Sequence, residues 1–402
     1  MTSTVSLDEI SAFITKGSTP TTYGFKWEAT GVPFLRSECV SDHGLDMRQS
    51  MFISPAANQA LRRSQVVDGD ILMTITGNVG RVVRLTGVDQ ANINQHIARI
   101  RVIAPRFDSG FIYHYLSQGV MRGYYESIVT GQAYPQLSLV QVRETGIPAV
   151  PIAEQKAVAV ALSDADDQIV VLERLITKKQ AIKQGMMQAL LTGRTRLPGF
   201  AKPWLKTQLG DVVSFAKGSG LSKSDLRRDG AYMCVHYGEL FTRYGAVIEF
   251  VHSRTHLHLP VKSQVGDVLM PTSDVTPRGL AKASVIQQSG VGLGGDILII
   301  RPHAGSADGR FIARVIRHGE SQVLTLVRGS TVFHLYAADM RGFSIDLPPV
   351  EEQAAIAEIL ADADDELEAS RLRLTKAKAV KQGMMQELLT GRTHLPGEEG
   401  AA

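Results

Sequence analysis

The sequence predicts an α+β protein made of two copies of one unit, each a mixed α/β domain followed by a long helix. Two observations carry this. Residues 151–199 recur at 349–397 without a gap, and 28 of the 49 paired positions are identical. The stretches preceding the two copies also open alike: Leu7-Asp8-Glu9-Ile10 with Lys16-Gly17-Ser18 answers Leu209-Gly210-Asp211-Val212 with Lys217-Gly218-Ser219. Self-similarity at so long a period sets the organisation of the whole chain. The expected divisions are a first domain over 1–150, a helix over 151–193, a second domain over 194–348, a second helix over 349–391 and a tail over 392–402.

In the first domain, Gly69-Asp70 reads as a turn feeding the buried strand Ile71-Leu72-Met73, and Gly266-Asp267 before Val268-Leu269-Met270 does the same in the second. Short β-rich runs follow at 81–85 and 96–102, then at 283–286 and 297–301. Helical segments are expected near 111–118 and 311–317. A glycine-led loop closes each domain, at 131–138 and at 329–336. The frame is shared and the loops differ, as one fold tuned to two targets would require.

Residues 154–191 are expected to form one helix. Leu162, Ala165, Ile169, Leu172, Ile176, Met186 and Leu190 alternate three and four apart, the spacing of a heptad seam. Leu360, Ala363, Leu367, Leu374, Ala377, Met384 and Leu388 repeat the phase. Lys183 and Lys381 interrupt both seams at equivalent places, with Lys179 a further break in the first and Ser370 in the second. Pro151 and Pro349, with Glu154 and Glu352 in the first turn, suit a helix start. Gly193 and Gly391 suit a left-handed stop. Some 38 residues at the usual rise would reach roughly 57 Å.

A single seam must be buried against something. The net charges, +2 over 151–199 and −5 over 349–402, favour pairing the two helices with each other. With a compact domain between them in sequence, the easiest closure is an antiparallel coiled coil of pseudo-two-fold symmetry, one domain at each end. The plainer alternative packs each helix on its own domain.

The composition, 44% hydrophobic and 21% charged, is that of a globular chain. No apolar run approaches the roughly 18 residues of a membrane span, and Met1-Thr2-Ser3-Thr4 is too polar for a leader. Cys39 and Cys234 make no disulfide framework. Together these features point to the cytoplasm. The net charge of +3 is unevenly spread: residues 1–150 carry +1, while 200–348 carry +5 and seven of the 11 histidines. A basic domain suits a polyanionic partner, although a solvated surface would read the same way.

At this point the residues carry a family resemblance. The two unlike domains, the Pro-x-x-Glu-Gln helix starts (Pro151 to Gln155, Pro349 to Gln353) and the helix ends Lys183-Gln184-Gly185-Met186-Met187-Gln188 and Lys381-Gln382-Gly383-Met384-Met385-Gln386 resemble the DNA-specificity subunit of type I restriction–modification systems. The stretch 218–245 resembles one subtype of its target-recognition domain. The resemblance covers essentially the whole chain. It implies that each domain reads one half of a bipartite double-stranded DNA target, across a spacer set by the helices. It also implies that two methyltransferase subunits dock along those helices for adenine methylation, and that a restriction and translocase subunit joins them.

No catalytic site accompanies this reading. Lys16-Gly17-Ser18 has the wrong order for a phosphate loop. The Asn/Asp-Pro-Pro-aromatic signature of adenine methyltransferases is missing, since the only Pro-Pro, Pro348-Pro349, opens a helix. His252, His256 and His258 lack matching cysteines or carboxylates, so a loop is expected there rather than a metal. The chain is therefore expected to be non-catalytic and cofactor-free, with S-adenosylmethionine on the partner methyltransferase. A coiled-coil scaffold without DNA readout is the alternative.

Polar and basic loop residues are the candidates for phosphate and base contacts. In the first domain these are Lys16, Ser18, Asn78, Arg81, Gln132, Tyr134 and Gln136; in the second, Lys217, Ser219, Ser222, Lys223, His236, Tyr237, Arg243 and Arg278. For partner docking they are Lys183, Gln184, Met186 and Met187, with Lys381, Gln382, Met384 and Met385. Helical glycine costs about 1 kcal/mol and paired methionines offer adaptable apolar surface. A close helix–helix approach would explain both features as well as docking does.

Overall fold

The computed structural model describes residues 3–42, 44–103, 105–131, 134–390 and 392–395. It divides into two compact units, Met1–Arg174 with Leu372–Ala402, and Leu175–Arg371.

The first unit holds two four-stranded sheets. One is antiparallel, with Ile97–Val102 between Ser11–Lys16 and Ile71–Thr74, and Val82–Arg84 outermost. All four residues of Ile71–Thr74 are buried, as the apolar run after Gly69-Asp70 requires. The Asp70 carboxylate receives both Nε and Nη2 of Arg101 at 2.6 Å, while Gly69 takes the left-handed turn at φ 82°. The other sheet orders Met51–Ile53, Val32–Leu35, Ala91–Ile93 and Gln65–Val66. Thr4–Ser6 pairs with Gly146–Pro148 and so closes the domain on itself. Helices Ser109–Leu116 and Gly119–Ile128 cover the antiparallel sheet.

The second unit repeats this plan. Its five-stranded sheet runs Val213–Lys217, Ile297–Pro302, Val268–Pro271, Ser284–Ile286 and Val247–Ile248. A three-stranded sheet holds Arg254–Thr255, Tyr232–Val235 and Gly292–Leu293, and Leu205–Gln208 pairs with Ser344–Leu347. Asp267 receives Arg301 through two bonds of 2.7 Å, as Asp70 receives Arg101.

The long helices cover Ile152–Leu191 and Val350–Leu388, in the places the repeat predicts; Gly391, the expected stop of the second, lies outside the described residues. In the first unit, Val158, Ala159 and Leu162 from the start of one helix share a core with Leu388 and Leu389 from the end of the other. In the second unit, Leu190 and Leu191 share a core with Ile356, Ala357 and Leu360. Start meets end in both, so the pairing is antiparallel within each unit. Each fully buried leucine contributes roughly 1.5–3 kcal/mol.

The lysines that interrupt the seams are its charged rungs. Lys381 reaches Asp166, and Lys378 Nζ lies 2.7 Å from Glu173 Oε1, in the first unit. Lys183 reaches Asp364 and Lys179 reaches Glu366 in the second. Asp166 and Asp364 are themselves 198 apart, as are the two lysines that meet them. The same contact is therefore made twice, with the roles of the helices exchanged.

The Glu-Gln pair of each helix start anchors that start to its domain. Gln155 Oε1 accepts the Asp108 N–H at 2.9 Å while its Nε2 donates to the Val150 carbonyl at 2.6 Å. Gln353 does the same with the Asp308 N–H and the Pro348 carbonyl, both at 2.8 Å. Glu352, wholly buried, receives two Arg196 donors at 2.7 Å and the Trp204 indole N–H at 3.1 Å. Its counterpart Glu154 meets His394 Nδ1 at 2.6 Å. The segment leaving one helix thus returns to the first turn of the other. No helix of the described residues is long and apolar enough to cross a membrane.

Candidate nucleic-acid interface

In each domain, one edge is built from the ends of the central strands and four loops laced together by backbone hydrogen bonds. In the second domain, the Gly218 N–H donates to the Ile297 carbonyl (3.0 Å) and the Ser219 N–H to that of Leu293 (2.9 Å). The Gly294 N–H donates to Val235 (3.0 Å), that of Thr272 to Asp296 (2.9 Å) and that of Leu335 to Thr272 (3.0 Å). The first domain makes the same five bonds: Gly17 to Ile97 (3.3 Å), Ser18 to Ile93 (3.2 Å), Asn94 to Leu35 (3.0 Å), Ile75 to His96 (2.9 Å) and Leu137 to Ile75 (2.9 Å).

This lacing is why the glycine of Lys-Gly-Ser occurs in both domains. A Cβ on Gly17 would stand 1.9 Å from the Ile93 carbonyl oxygen, and one on Gly218 would stand 1.8 Å from that of Gly294. Only glycine lets the strands close up there. The frame is thus common, while the side chains upon it differ.

Six of the eight residues expected in the second domain gather on this edge. Lys217, Ser222, Lys223, His236 and Tyr237 line a groove of about 770 Å³ together with Gly218, Gly220, Leu221, Gly295 and Asp296, and Ser219 is tied to the same edge by its bond to Leu293. Lys217 and Lys223 are exposed. Ser222 caps the following turn, its N–H and Oγ donating to Asp225 at 2.8 and 2.6 Å. The His236 ring is nearly buried and packs at 4.6 Å from that of Tyr237. Burial, as the largest cause, lowers its pKa, so the imidazole is neutral near pH 7. Arg243 is engaged within the domain, by Glu239 Oε1 at 3.0 Å and Ser253 Oγ at 3.1 Å. Arg278 is exposed, with Nε 3.3 Å from Glu320, and stands apart from the groove residues.

In the first domain, Lys16 and Ser18 occupy the places of Lys217 and Ser219. Asn78 and Arg81 belong to the loop after Ile71–Thr74. The loop residues 134–138 lie against it, through the Gly77 N–H to the Pro135 carbonyl (3.1 Å) and the bridge of Thr76 with Gln136. Tyr134 is 69% exposed and Gln136 is exposed on this loop, while Arg81 stands 3.6 Å from Asp42. Gln132 lies outside the described residues. The matching frame also brings in Arg36, Gln95 and His96, which sequence reasoning passed over. Their signal was the strand pairing itself, and no spacing motif carries it.

The repeated helix ends divide their side chains between two tasks. Met186 and Met187 pack on the core of the second unit, and Met384 and Met385 on that of the first. Lys183 and Lys381 make the ion pairs described above, while Gln184 and Gln382 are exposed. Among the described residues, a Cβ on Gly185 or Gly383 would meet nothing within 4 Å. The close helix–helix approach that would account for these glycines is therefore not made. Among the described residues, no three His, Cys, Asp or Glu side chains are grouped to hold a metal ion.

Comparison with known proteins agrees with this geometry. The type I restriction modification DNA specificity domain matches residues 2–184 and again 201–376. The MjaX type I restriction enzyme specificity subunit of Methanocaldococcus jannaschii is 23% identical over 388 residues, covering 90% of this chain and 87% of that one. The MjaVIII subunit of the same organism is 22% identical over 303 residues, 70% of each. In fold, the chain is similar to the type I restriction–modification S subunit from M. genitalium, with a TM-score of 0.62 at 12% identity, covering 96% of this chain and 95% of that one. Two matched domains over most of the sequence settle the assignment: the chain belongs to the type I restriction–modification specificity subunits, the non-catalytic components through which such enzymes recognise DNA.

Proposed function

We propose that each domain reads one half of a bipartite double-stranded DNA target with its laced loop edge, and that the repeated helix ends each dock one methyltransferase subunit. The observation that carries this reading is the five-bond frame, present twice and bearing different side chains each time. A common frame supports one way of meeting the duplex; unlike side chains support two unlike half-sites. Lys16, Ser18, Asn78, Arg81, Gln132, Tyr134 and Gln136 would serve one half, and Lys217, Ser219, Ser222, Lys223, His236, Tyr237, Arg243 and Arg278 the other. Lys183, Gln184, Met186 and Met187, with Lys381, Gln382, Met384 and Met385, would form two like docking sites. Their identical sequence supports two copies of one partner. A restriction and translocase subunit would join this assembly in the cytoplasm. S-adenosylmethionine would sit on the methyltransferase, whose product is methyladenine, and this chain would need no cofactor.

Footprinting the chain bound to its methyltransferase tests the reading. Two short protected stretches around an open gap are expected. Protection without sequence preference would favour a scaffold that reads no DNA. Exchanging residues 1–150 for those of a relative should change one half-site and leave the other intact.

A further inference from the structure

The residue that leaves the strand paired in parallel with Ala91–Ile93 or Gly292–Leu293 stands at the same point of the frame in both domains. It is Arg36 after Val32–Leu35, and His236 after Tyr232–Val235. The residue before it accepts from the 94 or 294 amide, and its own carbonyl accepts the N–H three residues on, from Cys39 or Glu239, both at 2.9 Å. Its N–H is held in return, by Cys39 Sγ at 3.3 Å in one domain and Glu239 Oε2 at 3.0 Å in the other. Backbone geometry is therefore matched and only the side chain changes.

The protein fixes what His236 can offer. Its Nδ1 accepts the Gly238 N–H at 3.1 Å, so the ring proton of the neutral imidazole resides on Nε2. His236 lines the groove together with Lys217 and Tyr237. A neutral ring offers one donor there and no acceptor. Arginine offers a fork of donors instead; in Arg36, Nη2 donates to the Gln49 carbonyl at 3.2 Å and Nε is buried without a partner among the described residues.

We propose that this position is a specificity-determining residue, His236 donating its Nε2–H to a base-edge acceptor of one half-site while Arg36 does the corresponding work in the other. The proposal rests on the reading that the laced edge meets DNA. A lone donor can bond guanine O6 or N7, adenine N7 or thymine O4, and finds only the exocyclic amine on the major-groove edge of cytosine. One base pair, rather than overall affinity, should answer to His236.

The test is selection from randomised duplexes by the chain bound to its methyltransferase, with wild type, His236→Arg, His236→Asn and Arg36→His compared. Asparagine keeps an acceptor for the Gly238 N–H and so preserves the turn while moving the donor. The expected result is a change in preference of about ten-fold or more at one base pair, in the half-site of the altered domain alone. Unchanged preferences, or an equal loss on all sequences, would overturn the assignment. A wild-type complex with no sequence preference would instead defeat the DNA-reading proposal on which it rests.

Discussion

Arg314 and His114 hold the same place in the two repeats, each six residues beyond an N-cap aspartate and each facing the helix aspartate of its own unit. Arg314 Nη1 lies 2.8 Å from Asp364 Oδ2. His114 Nδ1 lies 3.9 Å from Asp166 Oδ2, and its Nε2 is 3.2 Å from Ser163 Oγ. Lys183 and Lys381 complete the two sets. One repeat therefore uses a permanent cation where the other uses a group that titrates.

Burial first, then Lys381 and Arg84, push His114 down to about 4 from its ordinary 6.5. The unfolded chain takes up the proton before the folded one does. Stability from this residue is thus complete above pH 6.5 and is lost as pH falls towards 4, by on the order of 3 kcal/mol. His114→Gln, which can still bond Ser163, should cost stability near neutrality and less at pH 5. Denaturant unfolding at both values measures this, and an equal difference at the two would refute it.

Glu352 and Glu154 should respond unequally to loss of their partners. Glu352 is wholly buried, so Arg196→Ala strands a charge and should cost about 3–5 kcal/mol. His394 is 72% exposed, so His394→Ala should cost below about 1 kcal/mol. Thermal unfolding of the two variants checks the order.

The long helices and their pairing were legible because a seam, a cap and a charge difference all point the same way. Asp70 and Asp267 were legible as turns because a glycine precedes each and an apolar run follows it. The helices Gly119–Ile128 and Glu320–Leu326 were not: the first opens on glycine and carries a second at Gly123, both poor helix formers, and packing on the core overrides that propensity. The smaller sheets were hidden too, since strands of two to four residues show too little alternation to register. On the laced edge, Lys217, Ser222, Lys223, His236 and Tyr237 stood out by proximity in sequence. Arg36 and His96 did not, because only the pairing of Val32–Leu35 with Ala91–Ile93 brings them together.

Lys217 and Lys223 should act on phosphates without choosing among sequences. Replacing either with alanine should weaken binding to all duplexes alike and reduce the salt slope by about one. Titrations at several salt concentrations would show it, and a loss confined to one sequence would contradict a phosphate role.

Gly185 and Gly383 provide the sharpest test of docking. Among the described residues, nothing stands where a Cβ would extend from either, so alanine adds no clash and removes the penalty of a helical glycine. Gly185→Ala and Gly383→Ala should each stabilise the isolated chain by about 0.5–1 kcal/mol. If a methyltransferase subunit approaches the helix backbone closely at these points, the same methyl groups will obstruct it. Unfolding midpoints should therefore rise while affinity for the methyltransferase falls, with one docking site lost per substitution and both in the double variant. Sedimentation of the purified mixture counts the bound subunits. Alanine variants that bind two subunits as tightly as the wild type would remove these helix ends from the interface.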